Sequence, residues 1–391
     1  MNMQKRQHLS KEKLNILIQS ENIKELSYPE IINYFQAEKE YAKSVPDNIF
    51  QIDPRNDERI LFSSSRAKRP HDNQPKKNTD LKSNNMCVIC EGNTTKILDY
   101  ALLSEGFTFI NKNLFPAVYP EINPVEIESA DSLYTNGFPV HGLHFLQWTS
   151  SFHDQDWHTM PIQDLEIVMQ RLSFLEKHLL ISSSDYLTGL KTSEKEGTID
   201  QYNINPGKYP GYVSIIKNVG RLVGGSLSHG HQQIVFSNTI PRRILDNWRF
   251  EKEHGEYFST FLLRENPSSL MIKEYPHAVL VVPYFMRRPY DMILILKDTH
   301  KQYMHELSAG EINSIAQGWH DALLSIHRIM PQIGREIAFN VVTHNGPGAG
   351  LYFEFLPYTQ ETGGFEHLGL FICHANPQLT ASNIRNSLAI I

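Results

Sequence analysis

Cysteine is scarce in this chain. Three cysteines in 391 residues exclude the disulfide framework on which small secreted domains depend. No apolar run approaches the ~18–20 residues that span a bilayer. The opening residues, Met1 to His8, lack the apolar core of a secretory signal. No block of lysine and arginine stands out, and the formal net charge is −6. The composition therefore gives no footing for nucleic acid, although local arginines could still meet an anionic substrate. Hydrophobic residues make up 40% and charged residues 20%, the balance of a soluble globular protein. Its length suits one large or two ordinary domains. We expect a protein of the reducing cytoplasm with no membrane or nucleic-acid partner.

Residues 1–45 are polar with scattered apolar positions, and they predict a helical N-terminal extension of two short helices on either side of Ser27-Tyr28-Pro29. Ile52 to Phe62 reads as a turn and a strand leading into Ser63-Ser64-Ser65-Arg66-Ala67-Lys68-Arg69-Pro70. Those cations and hydroxyls suit a phosphate, or else form a solvated basic turn. Residues 71–85 are almost free of apolar side chains and predict a mobile loop. It delivers Cys87-Val88-Ile89-Cys90, a metal half-site or a redox pair. Redox use would place the first cysteine at a helix start. A polar loop precedes it here, which favours metal and calls for two further ligands.

Further along, 107–110 and 144–149 read as strands, and Leu165, Val168, Met169, Leu172, Leu175 and Leu179 form one helical stripe. The strand 212–216 runs into Asn218-Val219-Gly220-Arg221-Leu222-Val223-Gly224-Gly225-Ser226-Leu227-Ser228-His229-Gly230-His231-Gln232-Gln233, and a further strand follows at 234–236. The second half repeats this plan: strands at 278–283 and 291–296, a helix through Ile312, Ile315, Trp319 and Leu323, a strand at 338–342, a glycine turn at 345–350 and a strand at 351–356. Internal duplication is the economical reading. Tyr352 and Glu354 then take the places of His229 and His231, so one active site per chain is expected.

Residues two apart on an extended segment face the same side, so His229, His231 and Gln233 form a row. Both histidines could be structural, both could bind one metal, or one could bind metal while the other is a nucleophile. Cys87, Cys90 and His153 leave one position of a tetrahedral site open, which His229 would fill, and a closed four-ligand site is structural. His231 is then free. A neutral imidazole is a competent nucleophile toward phosphorus. Gln233 and Ser226 would donate to oxygens that gain charge in the transition state.

Seven pieces stand in order: Arg66-Ala67-Lys68-Arg69-Pro70, Cys87-x-x-Cys90, Asn113-x-Phe115-Pro116, Ser151-x-His153-Asp154, Asn218-x-Gly220, Gly224-Gly225-Ser226-x-x-His229-x-His231-x-Gln233 and Gly364-Phe365-Glu366. Together they resemble the galactose-1-phosphate uridylyltransferase family of the histidine-triad superfamily, bacterial type. The resemblance implies an α+β fold of two histidine-triad-like halves, each a mostly antiparallel sheet with helices on one face. The halves would occupy 46–245, with the active and zinc sites, and 246–391, degenerate. The implied activity is transfer of a nucleoside monophosphate, UMP above all, from a nucleotide sugar to a hexose 1-phosphate through a covalent nucleotidyl-His231, as in galactose metabolism. The resemblance makes Cys87, Cys90, His153 and His229 ligands of a structural Zn2+. It places Arg66, Arg69, Asn113, Asn218, Ser226 and Gln233 around the nucleotide and its phosphates. Phe365 and Glu366 would contact the hexose, across a homodimer if one forms. Relatives with similar pockets are phosphorylases of ADP-sugars or dinucleoside polyphosphates, in which inorganic phosphate is the acceptor. A non-catalytic nucleotide-binding protein on this scaffold is a third reading, and retention of His231 and Gln233 argues against it. Departures from the family pattern are Gly230 in place of a proline, the large Gln232, Leu114, and Tyr352 and Glu354 in the second half.

Overall fold

Ser27 decides where the N-terminal helices divide. It caps α2 (Tyr28–Ala37), its hydroxyl accepting the Glu30 N–H while the Glu30 carboxylate accepts the Ser27 N–H at 2.7 Å, a reciprocal capping box. Pro29 sits in the first turn, where a missing N–H costs nothing. The preceding α1 (Lys11–Leu17) is capped by Ser10, whose hydroxyl accepts the Lys13 N–H. Ser27-Tyr28-Pro29 is thus the start of the second helix, with a short 3-10 turn (Ile23–Glu25) in front of it. The computed structural model describes residues 6–38, 48–63, 66–67, 87–120, 138–191 and 211–389, with the backbone alone at 138, 139 and 184–191. The loop expected over 71–85, and Arg69, lie outside the described residues.

Beyond α2, β1 (Ile49–Asp53) and β2 (Glu58–Phe62) form a hairpin joined by β5 (Phe138–Pro139) in a three-stranded sheet. The first half contributes β3 (Ile97–Leu102), β4 (Phe107–Lys112), β6 (Gly142–Trp148), the helix α3 (Ile162–Lys191), β7 (Tyr212–Val219) and β8 (His231–Ser237). The second contributes α4 (Arg242–His254), α5 (Phe258–Glu265), β9 (Met271–Glu274), β10 (Ala278–Val281), β11 (Met292–Leu296), α6 (Ala309–Gln332), β12 (Phe339–His344) and β13 (Tyr352–Pro357), then α7 (Gly364–His367) and α8 (Pro377–Ala389). The ten strands outside the hairpin sheet lie in the order β3-β4-β6-β8-β7-β12-β13-β11-β10-β9. Reading outward from the centre, each half gives the same sequence of strands. The halves meet where β7 pairs antiparallel with β12, Val219 opposite Phe339 and Ile216 opposite Val342.

Period-two alternation sets the two faces of this sheet. On one face Leu143, Phe145, Ile234, Phe236, Leu294, Phe353 and Phe355 join the long helices α3 and α6 in the main core, which also takes in Ile31 and Phe35 of α2. The opposite face carries His144, Leu146 and Trp148 on β6 and His231 and Gln233 on β8. It is covered at one end by α1 and the cysteine turn, where Leu9, Leu14, Ile89, Phe107 and Trp148 cluster, and at the other by α5. β8 begins three residues before the apolar run that predicted it. Gln232, on the core side, is fully buried with its polar atoms satisfied: it donates to Gln147 at 2.6 Å and accepts from the Trp157 indole at 3.0 Å. Among the described residues no helix is long and apolar enough to cross a membrane.

Candidate active site

The turn between β7 and β8 is shaped by its glycines. Gly220 has φ +87°, and a Cβ there would lie 2.5 Å from the Ile337 carbonyl oxygen. This lets β7 end abruptly and return the chain to His229. The His229 Nε2–H donates to the Ser150 carbonyl at 2.8 Å, so its other nitrogen, Nδ1, turns a lone pair toward the cysteines, 3.6 Å from each Sγ. A backbone carbonyl fixing the far nitrogen is the usual support of a metal-binding imidazole. One ligand atom from each of Cys87, Cys90, His153 and His229 lies within 4.8 Å of the other three, so the cluster can hold one metal ion. The Cys90 hydrogen bond pulls the Cys87 thiol well below its ordinary range; burial opposes this, and the His153 and His229 imidazoles add to the pull. A thiolate is what a metal needs. The N-terminal segment knits into the same place. Gln7 accepts the Cys87 N–H at 3.1 Å and the His153 N–H through its carbonyl at 3.0 Å, and Lys13 donates to the Cys90 carbonyl at 3.0 Å.

His231 opens β8 on the same side of the sheet and is not one of the four clustered residues. Its Nδ1–H donates to the His229 carbonyl at 2.8 Å, which leaves the Nε2 lone pair available. Among the described residues nothing bonds that nitrogen. Burial pushes the imidazole down to about 4, with the His229 backbone bond opposing, so it is neutral near pH 7. Trp148 packs against both rings, its centroid 5.4 Å from His229 and 4.9 Å from His231. Behind the strand end, Lys217 is fully buried; its ammonium donates to the His231 carbonyl at 3.1 Å and pairs with Asp156 at 2.7 Å. Burial raises the Asp156 carboxyl, but the Lys217 charge and hydrogen bond outweigh it and the net shift is down. A Cβ on Gly230 would lie 2.7 Å from the Asp156 Cγ. The departure from proline thus has a local cause: Asp156 fills the space.

Gln233 follows in the row. Its Oε1 faces the Nε2 of His144 at 3.2 Å, and Asn113 Nδ2 stands 3.1 Å from the same nitrogen. Asn113 in turn accepts the Phe115 N–H at 2.9 Å, and Arg66 donates to the Phe115 carbonyl at 2.8 Å. Asn218 accepts from Asn340 at 2.7 Å across the central strand pair, and Ser226 is half-buried in the glycine turn. The structure therefore links Gln233, Asn113 and Arg66 through His144 and Phe115, with His231 two residues from Gln233 on β8 and Asn218 and Ser226 on the adjoining strand and turn. Phe365 and Glu366 stand apart. Phe365 is exposed, and Glu366 accepts the Gly363 and Ile372 N–H groups of its own turn at 2.8 and 3.2 Å. Sequence reasoning missed His144, Lys217 and Asp156. The available signal was a polar residue in the row of Leu146 and Trp148, and a lysine inside an apolar strand.

A sheet of two like halves, with helices on one face and one histidine row on the other, is a duplicated histidine-triad-like fold. The family model for galactose-1-phosphate uridyl transferase, N-terminal domain, matches residues 39–282, and the chain belongs to that family, as a nucleotidyltransferase. It is similar to an ADP-glucose phosphorylase of Arabidopsis thaliana, 23% identical over 83% of this chain and 88% of the relative. It is also similar to a galactose-1-phosphate uridylyltransferase of Thermotoga maritima, 22% identical over 68% and 72%. A solved uridylyltransferase structure shares the fold with a TM-score of 0.62 at 19% identity, covering 87% of this chain and 98% of that one. A plant and a bacterial relative together do not single out the bacterial type.

Proposed function

We propose that the protein moves a nucleoside monophosphate, UMP in the leading reading, from a nucleotide sugar to a hexose 1-phosphate through His231, as an enzyme of carbohydrate metabolism. The observation that carries this is the tautomer of His231: with Nδ1–H committed to the His229 carbonyl, the Nε2 lone pair is the buried nucleophile. Nε2 attacks the α-phosphorus, the bond from that phosphorus to the bridging oxygen breaks, and the sugar 1-phosphate leaves with the electron pair. A phosphate oxygen of the incoming hexose 1-phosphate then attacks the same phosphorus, and the electron pair returns to Nε2. Arg66, Arg69, Asn113 and Asn218 would bind the nucleotide and its phosphates, while Gln233 and Ser226 donate to the nonbridging oxygens. Phe365 and Glu366 would take part in hexose binding, across a homodimer. The ion we assign to Cys87, Cys90, His153 and His229 is zinc, which when bound ties loop to strand and supplies no open coordination position.

A second reading has one specific support: an ADP-glucose phosphorylase stands among the relatives, aligned over 83% of the chain, beside transferases aligned over 68% and 88%. In that reading inorganic phosphate takes the nucleotide from His231. Intact mass after mixing with UDP-glucose or ADP-glucose tests both. A nucleotidyl adduct that His231→Ala abolishes is the expected result, and its mass names the nucleotide. Release by galactose 1-phosphate or by phosphate then separates transferase from phosphorylase. Tight binding of a donor without any adduct would overturn the proposal in favour of a nucleotide-binding protein.

A further inference from the structure

We infer that His144 is a positioning residue for the reaction at His231, acting through the side-chain amide of Gln233. The inference rests on the nucleotidyl-transfer reading. An amide side chain can present either its oxygen or its NH2 to a substrate, and only the NH2 stabilises a phosphoryl oxygen that gains charge. Something must therefore choose the orientation of Gln233. The choice starts at the backbone. The Ala117 N–H points at the Nδ1 of His144 at 2.9 Å, and a backbone N–H can only donate. Nδ1 must then accept, and the imidazole proton sits on Nε2. That Nε2–H meets the Gln233 Oε1 at 3.2 Å; Asn113 Nδ2, 3.1 Å from the same nitrogen, is an amide NH2 whose oxygen already accepts the Phe115 N–H, so it cannot accept this proton. With its oxygen engaged, Gln233 turns its NH2 away from His144. Among the described residues nothing accepts from that NH2, so its hydrogens remain for a ligand.

Three further observations hold the relay in place. His144 is buried, so water does not compete for its nitrogens. It pairs with Val235 of β8, and its side chain shares a sheet face with Gln233. Asn113, a candidate ligand-binding residue, donates its own backbone N–H to the His144 carbonyl at 2.8 Å. One histidine thus fixes the register of Asn113 and the orientation of Gln233 together. Its Nδ1 meets a one-way donor, and its Nε2 faces both the Asn113 amide and the amide next to the nucleophile, of which only the Gln233 oxygen can accept a proton.

Two substitutions separate the two ends of the relay. Asn at 144 keeps an oxygen where Nδ1 accepts from Ala117 and cannot reach Gln233. Gln at 144 places an amide NH2 where Nε2 donates to Gln233. The readout is the single-turnover rate of nucleotidyl-adduct formation with UDP-glucose and ADP-glucose, with thermal melting beside it. Removing one oxyanion donor outright costs ~10²–10³-fold, so Gln233→Ala sets the scale. His144→Asn is expected to lose roughly tenfold to a hundredfold of that rate, with donor affinity little changed, and His144→Gln to recover most of it. In the Gln233→Ala background His144→Asn should cost nothing more. Equal losses in His144→Asn and His144→Gln, or losses that multiply in the double variant, would overturn the inference while leaving the adduct chemistry standing. Absence of any adduct in the wild type would overturn the parent reading, and this inference with it.

Discussion

Replacing Lys217 with methionine tests how the strand end beneath His231 is held. The methionine keeps the apolar stem and removes the charge. Lys217 has no exposed surface, and the Asp156 side chain keeps only 14% of its own. The ammonium holds the carboxylate at 2.7 Å and the His231 carbonyl at 3.1 Å. Removing one partner of a buried pair costs about 3–5 kcal/mol, because the other charge is left uncompensated. Stranding a buried carbonyl adds roughly 1–3 kcal/mol. Two things pull the sum down: Asp156 keeps some water, and its Oδ1 still accepts the Trp157 N–H at 2.9 Å. We expect a net loss of about 3 kcal/mol, from the low end of the buried-pair range. The assay is urea denaturation, read as a shift in midpoint at constant slope. A loss under about 1 kcal/mol would equal an exposed pair and would refute the reasoning. A cycle sharpens the test. Gly230→Ala pushes a Cβ to 2.7 Å from the Asp156 Cγ, so Asp156 must leave Lys217. Once Lys217 is gone, Asp156 can move without that loss. Gly230→Ala should therefore cost less in the Lys217→Met background than in the wild type, a coupling that independent sites would not show.

Cys87→Ser should lower the zinc content of the purified protein and its melting temperature together, as should prolonged chelation; elemental analysis showing unchanged metal would sink the four-ligand assignment. Asp291 gives a pH signature. Burial raises its carboxyl to about 7, against an ordinary 3.8, and its Oδ1 has no partner among the described residues. A carboxyl raised in the folded state contributes stability that is full below the unfolded value and is lost as pH rises through the folded one. Asp291→Asn should therefore match the wild type near pH 4 and exceed it increasingly up to about pH 7, by at most about 4 kcal/mol. Parallel stability curves across that range would refute the assignment.

The duplicated order was legible because each half repeats the same apolar strands and helical stripe, and strand alternation survives without any knowledge of partners. The cluster of Cys87, Cys90, His153 and His229 was legible because cysteine is rare and the histidines stand close to strand ends. Other features were hidden for physical reasons. β8 begins at His231 because Gln232 and Gln147 satisfy each other inside the core, a pairing that no local window reveals. The N-terminal helices read as an extension, yet Gln7 and Lys13 reach the cysteine turn about 80 residues away in sequence. His144 read as one more strand residue. Its meaning lies in a backbone N–H at Ala117 and an amide on another strand, neither of which sequence spacing brings near it.

The second half furnishes differently the positions that the His231 row holds in the first. β13 occupies there the place of β8, and Tyr352 and Glu354 lie at its start on the face opposite the main core. That face is closed upon itself. The Tyr352 hydroxyl donates to Asn247 at 2.8 Å, the Asn247 amide donates to the His344 Nδ1 at 3.0 Å, and the His344 Nε2 meets Glu354 at 2.8 Å. Tyr352 also stacks on His344 at 4.3 Å, and α5 packs over the strand through Phe258 and Leu262. Every polar group named there has a protein partner, so none is left to attack or orient a ligand. In the first half the Nε2 of His231 and the NH2 of Gln233 are the groups without such partners among the described residues. The same sheet positions thus carry a filled network in one copy and unspent donors and acceptors in the other. That asymmetry, more than the loss of two imidazoles, supports one reactive site per chain.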